Sequence, residues 1–185
     1  PDATKAAYDV LKAGGTAADA GIAAQMVLGL VEPQSSGIGG GGFALYFDAT
    51  KGQVLTLDGR ETAPSTAGTH LFVGDDGKPL NFYEAAHSGM SVGTPGLLKM
   101  LEKLHNWQGK MNWSELFYPA IKLAEKGFEV SPRLHEMLKK ERGRFKPDVI
   151  AKIYFYPDTF TPLEIGEMKR NPEYAITMRL SLIHI

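Results

Sequence analysis

The spacing of apolar and polar positions predicts two helices at the start of the chain. The first covers residues 4–13, where an apolar stripe is followed by Gly14 and Gly15. The second begins at Thr16, which has Asp19 three residues later in the form of a capping box. This helix extends to residue 31 and is rich in alanine and glycine, so we expect it to be buried on more than one face.

A change of period then predicts two strands. Residues 43–47 and 54–57 are rich in aromatic and β-branched side chains, and the four residues between them have the length of a hairpin connection with Gly52 at its end. Two strands alone do not make a stable sheet. We therefore expect the hairpin to belong to a sheet whose other strands lie outside this sequence.

The rest of the chain is predicted to be mainly helical. Residues 65–93 have no clear period and are expected to form a loop, with the strongest turn at residues 74–79. A helical stripe follows, for which Thr94 is the expected cap and Pro95 the first helical residue. Further helices are predicted at residues 112–126, 131–143 and from 171 onwards, and no linker is long enough to separate two domains.

Composition limits the kinds of partner. The chain has 185 residues, 43% of them hydrophobic and 22% charged, with a net charge of −1. These values are typical of a globular protein and do not favour nucleic acid or an anionic membrane as a partner. The sequence contains no cysteine and no apolar run of membrane-spanning length, so it offers no disulfide, no thiolate site and no predicted transmembrane segment.

The two ends of the sequence suggest that it is part of a longer protein. It begins at Pro1 without a methionine, and its last six residues, LSLIHI at 180–185, break the preceding amphipathic pattern. This hexapeptide resembles translated sequencing-adapter DNA. We therefore expect residues 1–179 to be native and residues 180–185 to be a non-native tail.

Two glycine motifs have chemical interpretations. Gly37, Gly39 and Gly42 fit G-x-G-x-x-G, but a dinucleotide site needs a strand before the glycines and a helix after them, and here the order is reversed. A tight turn that lets backbones approach closely is favoured.

The G-x-S-x-G pattern around Ser91 could be a nucleophile elbow, but no buried strand precedes it. A glycine-rich loop is favoured there, and a serine hydrolase using Ser91 is a weaker alternative.

Histidines and basic residues do not indicate a metal or nucleic-acid site. The five histidines lack the spacing of metal ligands, and we predict neither a metal nor a cofactor. A basic cluster after residue 138 is interpreted as a solvated helix end near the negative end of the helix dipole. It consists of Lys139, Lys140, Arg142, Arg144 and Lys146, around Glu141 and Phe145.

Arg60 is the residue with the clearest potential for binding. A guanidinium binds a carboxylate through two parallel hydrogen bonds, and Gly59 with acids on both sides could hold Arg60 extended toward a ligand. The alternative is an internal ion pair with Asp58 or Glu61. The residues alone leave these two interpretations equally open.

Five segments resemble the large subunit of γ-glutamyltranspeptidase, in the order and spacing of that family. The segments are GGTAADA at 14–20, VEPQSSGIGG at 31–40, LDGRETAP at 57–64, VGTPG at 92–96 and PAIKLA at 119–124. The chain departs from the family pattern at two places: Thr16 stands where the family usually has asparagine, and Met90-Ser91 varies the loop before Val92.

The resemblance implies an α+β fold of the αββα N-terminal-nucleophile hydrolase class, here incomplete, in a proenzyme that cuts itself into large and small subunits. The family's threonine nucleophile lies at the start of the small subunit. The resemblance therefore implies no catalytic residue in this chain, and the chain alone should be inactive. It implies that Arg60 binds the α-carboxylate of a γ-glutamyl group and that Glu61 supports Arg60.

The resemblance also implies the reaction and the partners. Glutathione or another γ-glutamyl compound would donate its glutamyl group to water, an amino acid or a peptide, and the small subunit would be the protein partner. Bacterial relatives are commonly periplasmic or extracellular. Two further alternatives remain open: a relative of the cephalosporin acylases, and a noncatalytic protein that keeps the arginine but lacks the nucleophile.

Overall fold

The computed structural model describes residues 1–143, 149–156 and 161–184, and within them the chain is α+β, as predicted. It divides into two compact units, one formed by Pro1–Gly37 with Leu104–Ile185 and the other by Ile38–Lys103. The α-helices are α1 Asp2–Lys12, α2 Ala17–Val31, α3 Phe82–Ala86, α4 Leu97–Gln108, α5 Tyr118–Lys126, α6 Pro132–Glu141, α7 Val149–Phe155 and α8 Pro172–His184. The strands are β1 Phe43–Asp48, β2 Gln53–Asp58, β3 Phe128–Glu129 and β4 Met168–Lys169.

The first unit is built around α2, which packs against α1 and α5. Nine of its fifteen residues are buried, which confirms the prediction that this small-residue helix is covered on more than one face. The predicted capping box is also present: the Asp19 backbone N–H donates to Thr16 Oγ1, and the Asp19 carboxylate accepts from the Thr16 backbone N–H. Gly14, with φ of 90°, ends the preceding helix as predicted.

Asp19 also fixes a distant loop of the same unit. Its side chain is fully buried, and its carboxylate accepts hydrogen bonds from the backbone N–H groups of Lys110 and Met111, the nearest at 3.0 Å. His105 Nε2 lies 2.8 Å from the carbonyl oxygen of Met111 and 3.7 Å from Asp19 Oδ1. The carboxylate of Asp19, the third residue of α2, therefore joins the start of that helix to residues 110–111.

The later helices begin largely where the capping patterns predict. Ser131 caps α6, and the side chain of Asn171 accepts from the Tyr174 N–H in the first turn of α8. The single helix predicted from Asn112 is instead a 3₁₀ turn, Trp113–Leu116, followed by α5. Helix α7 and the short antiparallel pair β3–β4 were not predicted, because two-residue strands about forty residues apart have no local period to detect.

The predicted basic helix end is described only in part. Lys139 and Lys140 occupy the last turn of α6. Arg144, Phe145 and Lys146 lie outside the described residues. Residues 180–184 continue α8, residue 185 lies outside the described residues, and the non-native origin of this tail stays a prediction.

The second unit contains the predicted hairpin. β1 and β2 pair antiparallel from Phe43 opposite Asp58 to Asp48 opposite Gln53, and residues 49–52 connect them with Gly52 at φ of 63°. The Asp48 carboxylate accepts from the Thr50 and Lys51 N–H groups and so closes the turn. Phe43, Leu45 and Phe47 are more than 60% exposed on one face of this two-stranded sheet.

Two predictions for the second unit are wrong in detail. The segment expected to be a loop contains the short helix α3 and a 3₁₀ turn, Gly89–Ser91, although the turn at residues 74–79 is present. Thr94 and Pro95 do not start a helix: the Thr94 N–H donates to the Thr62 carbonyl oxygen, and α4 begins at Leu97. Within the described part of the chain, no helix is long and apolar enough to cross a membrane.

Candidate functional site

Arg60 lies directly after β2, where the hairpin continues as a pair of glycines. Gly42 and Gly59 exchange backbone hydrogen bonds of 3.3 and 2.9 Å, which extend the ladder by one residue pair. The Asp58 carboxylate then accepts the Arg60 backbone N–H at 2.9 Å. Asp58 therefore fixes the main chain of Arg60 and does not pair with its guanidinium.

Within the described part of the chain, the guanidinium of Arg60 forms an ion pair with the next residue. Arg60 Nε lies 3.5 Å from Glu61 Oε2, and the Arg60 side chain is 70% exposed. Of the two interpretations of Arg60, the internal pair is therefore present, but it uses Nε at a long distance in solvent, where such pairs contribute little. The contact orients the side chain without covering it.

Close contacts between backbones set the position of this segment. A Cβ atom at Gly41 would lie 2.5 Å from the Gly59 carbonyl oxygen, and one at Gly96 would overlap the same oxygen. The Gly40 carbonyl oxygen accepts the N–H groups of Gly96 and Leu97, both at 3.2 Å. The glycine run thus allows close backbone packing, as its favoured interpretation predicted.

An open cleft of about 520 Å³ borders Arg60 and lies within the second unit. Arg60, Glu61 and Thr62 line one part of it. Its large apolar side chains come from the segment predicted to be a loop, namely Leu71, Phe72, Met90 and Val92. These residues lie eleven or more positions from Arg60 without a shared period, so no sequence pattern predicts that they line the same cleft. The cleft combines a cation that can bind a carboxylate with an apolar surface.

Ser91 lines the same cleft but is not set up as a nucleophile. Its Oγ donates to the carbonyl oxygens of Ala86 and Ser88, 2.9 Å from each. It lies in a 3₁₀ turn that follows helix α3, whereas a nucleophile elbow follows a strand. No histidine is among the described residues that line the cleft, so the geometry does not support the serine-hydrolase alternative.

The geometry does not support the other candidate sites. Helix α2 precedes the glycine run and β1 follows it, the reverse of a dinucleotide site. His135 is buried with Nδ1 2.7 Å from the Leu163 carbonyl oxygen, which makes it a structural residue. The described residues contain no group of three or more side chains suited to hold a metal ion. The absence of a metal or cofactor stays a prediction.

Comparison with known proteins relates this geometry to a family. The chain is 38% identical over 180 residues to a glutathione hydrolase proenzyme of Bacillus subtilis, covering 97% of this chain and 30% of that protein. The chain thus spans less than a third of this relative's length.

Two solved structures share the fold. One is the Helicobacter pylori gamma-glutamyltranspeptidase, with a TM-score of 0.92 and 33% identity over 99% of this chain and 52% of that chain. The other is a cephalosporin acylase of Bacillus halodurans, with a TM-score of 0.81 and 30% identity over 99% of this chain and 34% of that chain. The predicted fold class is confirmed by the first. Because residues 3–181 also match the gamma-glutamyltranspeptidase family as a whole, the chain belongs to that family.

Proposed function

We propose that residues 1–179 are the N-terminal part of the large subunit of a γ-glutamyltransferase and glutathione hydrolase. The complete protein is made as a zymogen that cleaves itself, and a threonine in the small subunit attacks the γ-carbonyl group of glutathione. Water, an amino acid or a peptide then takes the glutamyl group. The observation that carries this proposal is the exposed guanidinium of Arg60 at the edge of an open cleft.

Arg60 is the proposed binding residue for the substrate α-carboxylate. Its planar group can form two parallel hydrogen bonds with a carboxylate, which an ammonium group cannot do. The main chain around it is held by Asp58 and by the contact of Gly59 with Gly41 and Gly96. A guanidinium on a fixed backbone loses less conformational freedom on binding, which favours affinity.

Glu61 is the proposed supporting residue. Its contact with Arg60 Nε limits the rotamers of the longer side chain. The base of its side chain lies close to Gly93, where an added Cβ would be 2.8 Å from Glu61 Cβ. Glu61 therefore restricts Arg60 from one side while leaving the rest of the guanidinium exposed to the cleft.

The proposed partner and location follow from the family. The proenzyme name of the Bacillus subtilis relative supports a second subunit. We assign the threonine nucleophile to that subunit. We place the protein in the periplasm or outside the cell, as is common for bacterial members of this family. This chain by itself is expected to have no turnover, because it supplies the arginine and not the threonine.

The test is Arg60→Lys in the complete protein, with γ-glutamyl-p-nitroanilide as donor. We expect KM to rise about 10- to 150-fold, since a hydrogen bond to a charged group contributes about 1.5–3 kcal/mol. Arg133→Lys is a matched control, because Arg133 is 68% exposed and also contacts a glutamate through Nε at 3.5 Å. An unchanged KM in Arg60→Lys would refute the assignment.

The likeness to a cephalosporin acylase favours one second candidate, hydrolysis of an acyl side chain from a cephalosporin. Assaying the complete protein on both substrate classes separates the two activities. A protein that binds γ-glutamyl compounds without turning them over would be the noncatalytic relative. A rate from the isolated chain that Ser91→Ala abolishes would instead establish the serine hydrolase.

A further inference from the structure

A second cleft of about 380 Å³ borders Arg60 within the same unit, and most of its charge is positive. Arg60, Lys99 and Lys103 line it together with one carboxylate, that of Asp58. Three threonines, Thr56, Thr62 and Thr94, are also in its lining. The excess of cations and the presence of hydroxyl groups suit an anionic ligand.

The fold explains why these cations lie together. Lys99 and Lys103 are four residues apart on α4, so both project from the same face of the helix. That helix is held against the end of β2, because a Cβ added at Gly59 would lie 2.5 Å from Met100 Cβ and 3.1 Å from the Gly96 carbonyl oxygen. The absence of side chains at the two glycines brings the lysines beside Arg60.

The contacts of Asp58 and Lys99 leave room for a ligand. The Asp58 carboxylate is held by the Arg60 backbone N–H at 2.9 Å. Lys99 pairs with Glu102 at 2.5 Å, but the lysine side chain is 83% exposed and Glu102 does not line the cleft. The Glu102 side chain is 23% exposed, so this pair stays in place when a ligand binds. The Lys99 ammonium has three N–H donors, and those that Glu102 does not use can bind an anion.

We propose that this cleft is a second anion subsite, which binds the free carboxylate of a small peptide while Arg60 binds the α-carboxylate of the glutamyl group. Arg60 lines both clefts, which places the subsite next to the proposed glutamyl site. The peptide is either the leaving part of the donor or the acceptor. The assignment rests on the function proposed above, since it needs a γ-glutamyl substrate that continues into a peptide.

The test compares substrates that differ only in that carboxylate, using the complete protein with Lys99→Gln and Lys103→Gln together. For the acceptor, γ-glutamyl-p-nitroanilide is the donor, and glycylglycine is compared with glycylglycine amide. For the donor, hydrolysis of glutathione is compared with hydrolysis of its C-terminal amide. The matched control is Lys51→Gln with Lys78→Gln, since these lysines are also exposed and paired with a nearby aspartate, but do not line the cleft.

We expect KM for the carboxylate form to rise about two- to thirtyfold, since each exposed ion pair contributes a factor of about 1.4 to 5. KM for the amide form should not change, and the difference should shrink at high salt. A rise with glycylglycine only identifies the acceptor as the ligand, and a rise with glutathione only identifies the leaving peptide.

Equal effects on carboxylate and amide forms, or no effect on either, would overturn the subsite. Failure of the underlying function gives a different result, because wild-type protein would then release no p-nitroaniline from γ-glutamyl-p-nitroanilide. Hydrolysis of γ-glutamyl-p-nitroanilide by the double lysine variant also separates the two proposals. This donor carries the α-carboxylate but no peptide carboxylate, so its KM should stay at the wild-type value.

Discussion

The buried carboxylate of Asp19 gives a sharp prediction about stability. Replacing it with alanine removes the acceptor for three backbone N–H groups, those of Thr16, Lys110 and Met111. It also removes the partner of the Thr16 hydroxyl, 3.1 Å away. The substitution therefore breaks the capping box of α2 and releases residues 110–111 in one step.

The size of the effect follows from these contacts. The backbone N–H of residue 19 still donates to Thr16 Oγ1, but each buried donor left without an acceptor costs about 1–3 kcal/mol. Relaxation lets water reach some of these donors, so we expect a total of about 3–5 kcal/mol, at the upper end for one substitution. Asp19→Asn keeps one acceptor oxygen and the side-chain shape, and should cost about half as much.

Hydrogen exchange on the complete protein provides the assay, with urea unfolding as a second measurement. In Asp19→Ala, the amides of Lys110 and Met111 should exchange faster, and the unfolding midpoint should fall. Asp9→Ala is the control, because Asp9 is an exposed carboxylate that pairs with Lys5 on the surface of α1. Exposed pairs contribute about 0–1 kcal/mol, so its midpoint should hardly move.

Unchanged protection of these two amides in Asp19→Ala would refute this role of Asp19. An equal fall in the midpoint of Asp9→Ala and Asp19→Ala would refute it as well. A fall in the midpoint with unchanged exchange at residues 110–111 would locate the effect at the cap alone.

Two further predictions concern other parts of the molecule. Gly96→Ala should raise KM for γ-glutamyl donors several-fold or more, because its Cβ would overlap the Gly59 carbonyl oxygen and displace Arg60. Gly68→Ala is the control, since a Cβ added there meets open space. Equal KM values for the two variants would contradict this prediction. Burial raises the pKa of Tyr154 from 10.0 to about 12. The folded state therefore retains the Tyr154 proton where the unfolded state loses it, so stability should fall as pH rises from 10.0 to about 12. Tyr154→Phe should make the unfolding midpoint depend less steeply on pH in that window, and an identical slope would show that this tyrosine does not contribute.

Local chemistry explains what could be predicted from the sequence. Thr16 and Ser131 cap helices through contacts within three residues, and the hairpin depends on strands joined by four residues. Thr94-Pro95 has the same local form as Ser131-Pro132, but the Thr94 N–H is bound by Thr62, thirty-two residues away, and the helix begins later. A capping pattern cannot reveal such a competing distant partner.

The candidate site shows the same limit. The position of Arg60 after a strand was predictable, and its pair with Glu61 was one of two open interpretations. The lining of its cleft by Phe72 and Met90 was not predictable, because these residues lie in a segment without a hydrophobic period. Their placement depends on tertiary packing of short helical turns.

The crossing of Gly41, Gly59 and Gly96 has a consequence for how such a protein can diversify. The guanidinium is positioned by main-chain atoms that meet without intervening side chains. Residues on the walls of the clefts, such as Met90 or Lys99, can therefore be exchanged without moving Arg60. Recognition of the glutamyl end and recognition of the rest of the substrate are thus separable, and new preferences can arise by altering the walls while the anchor stays in place.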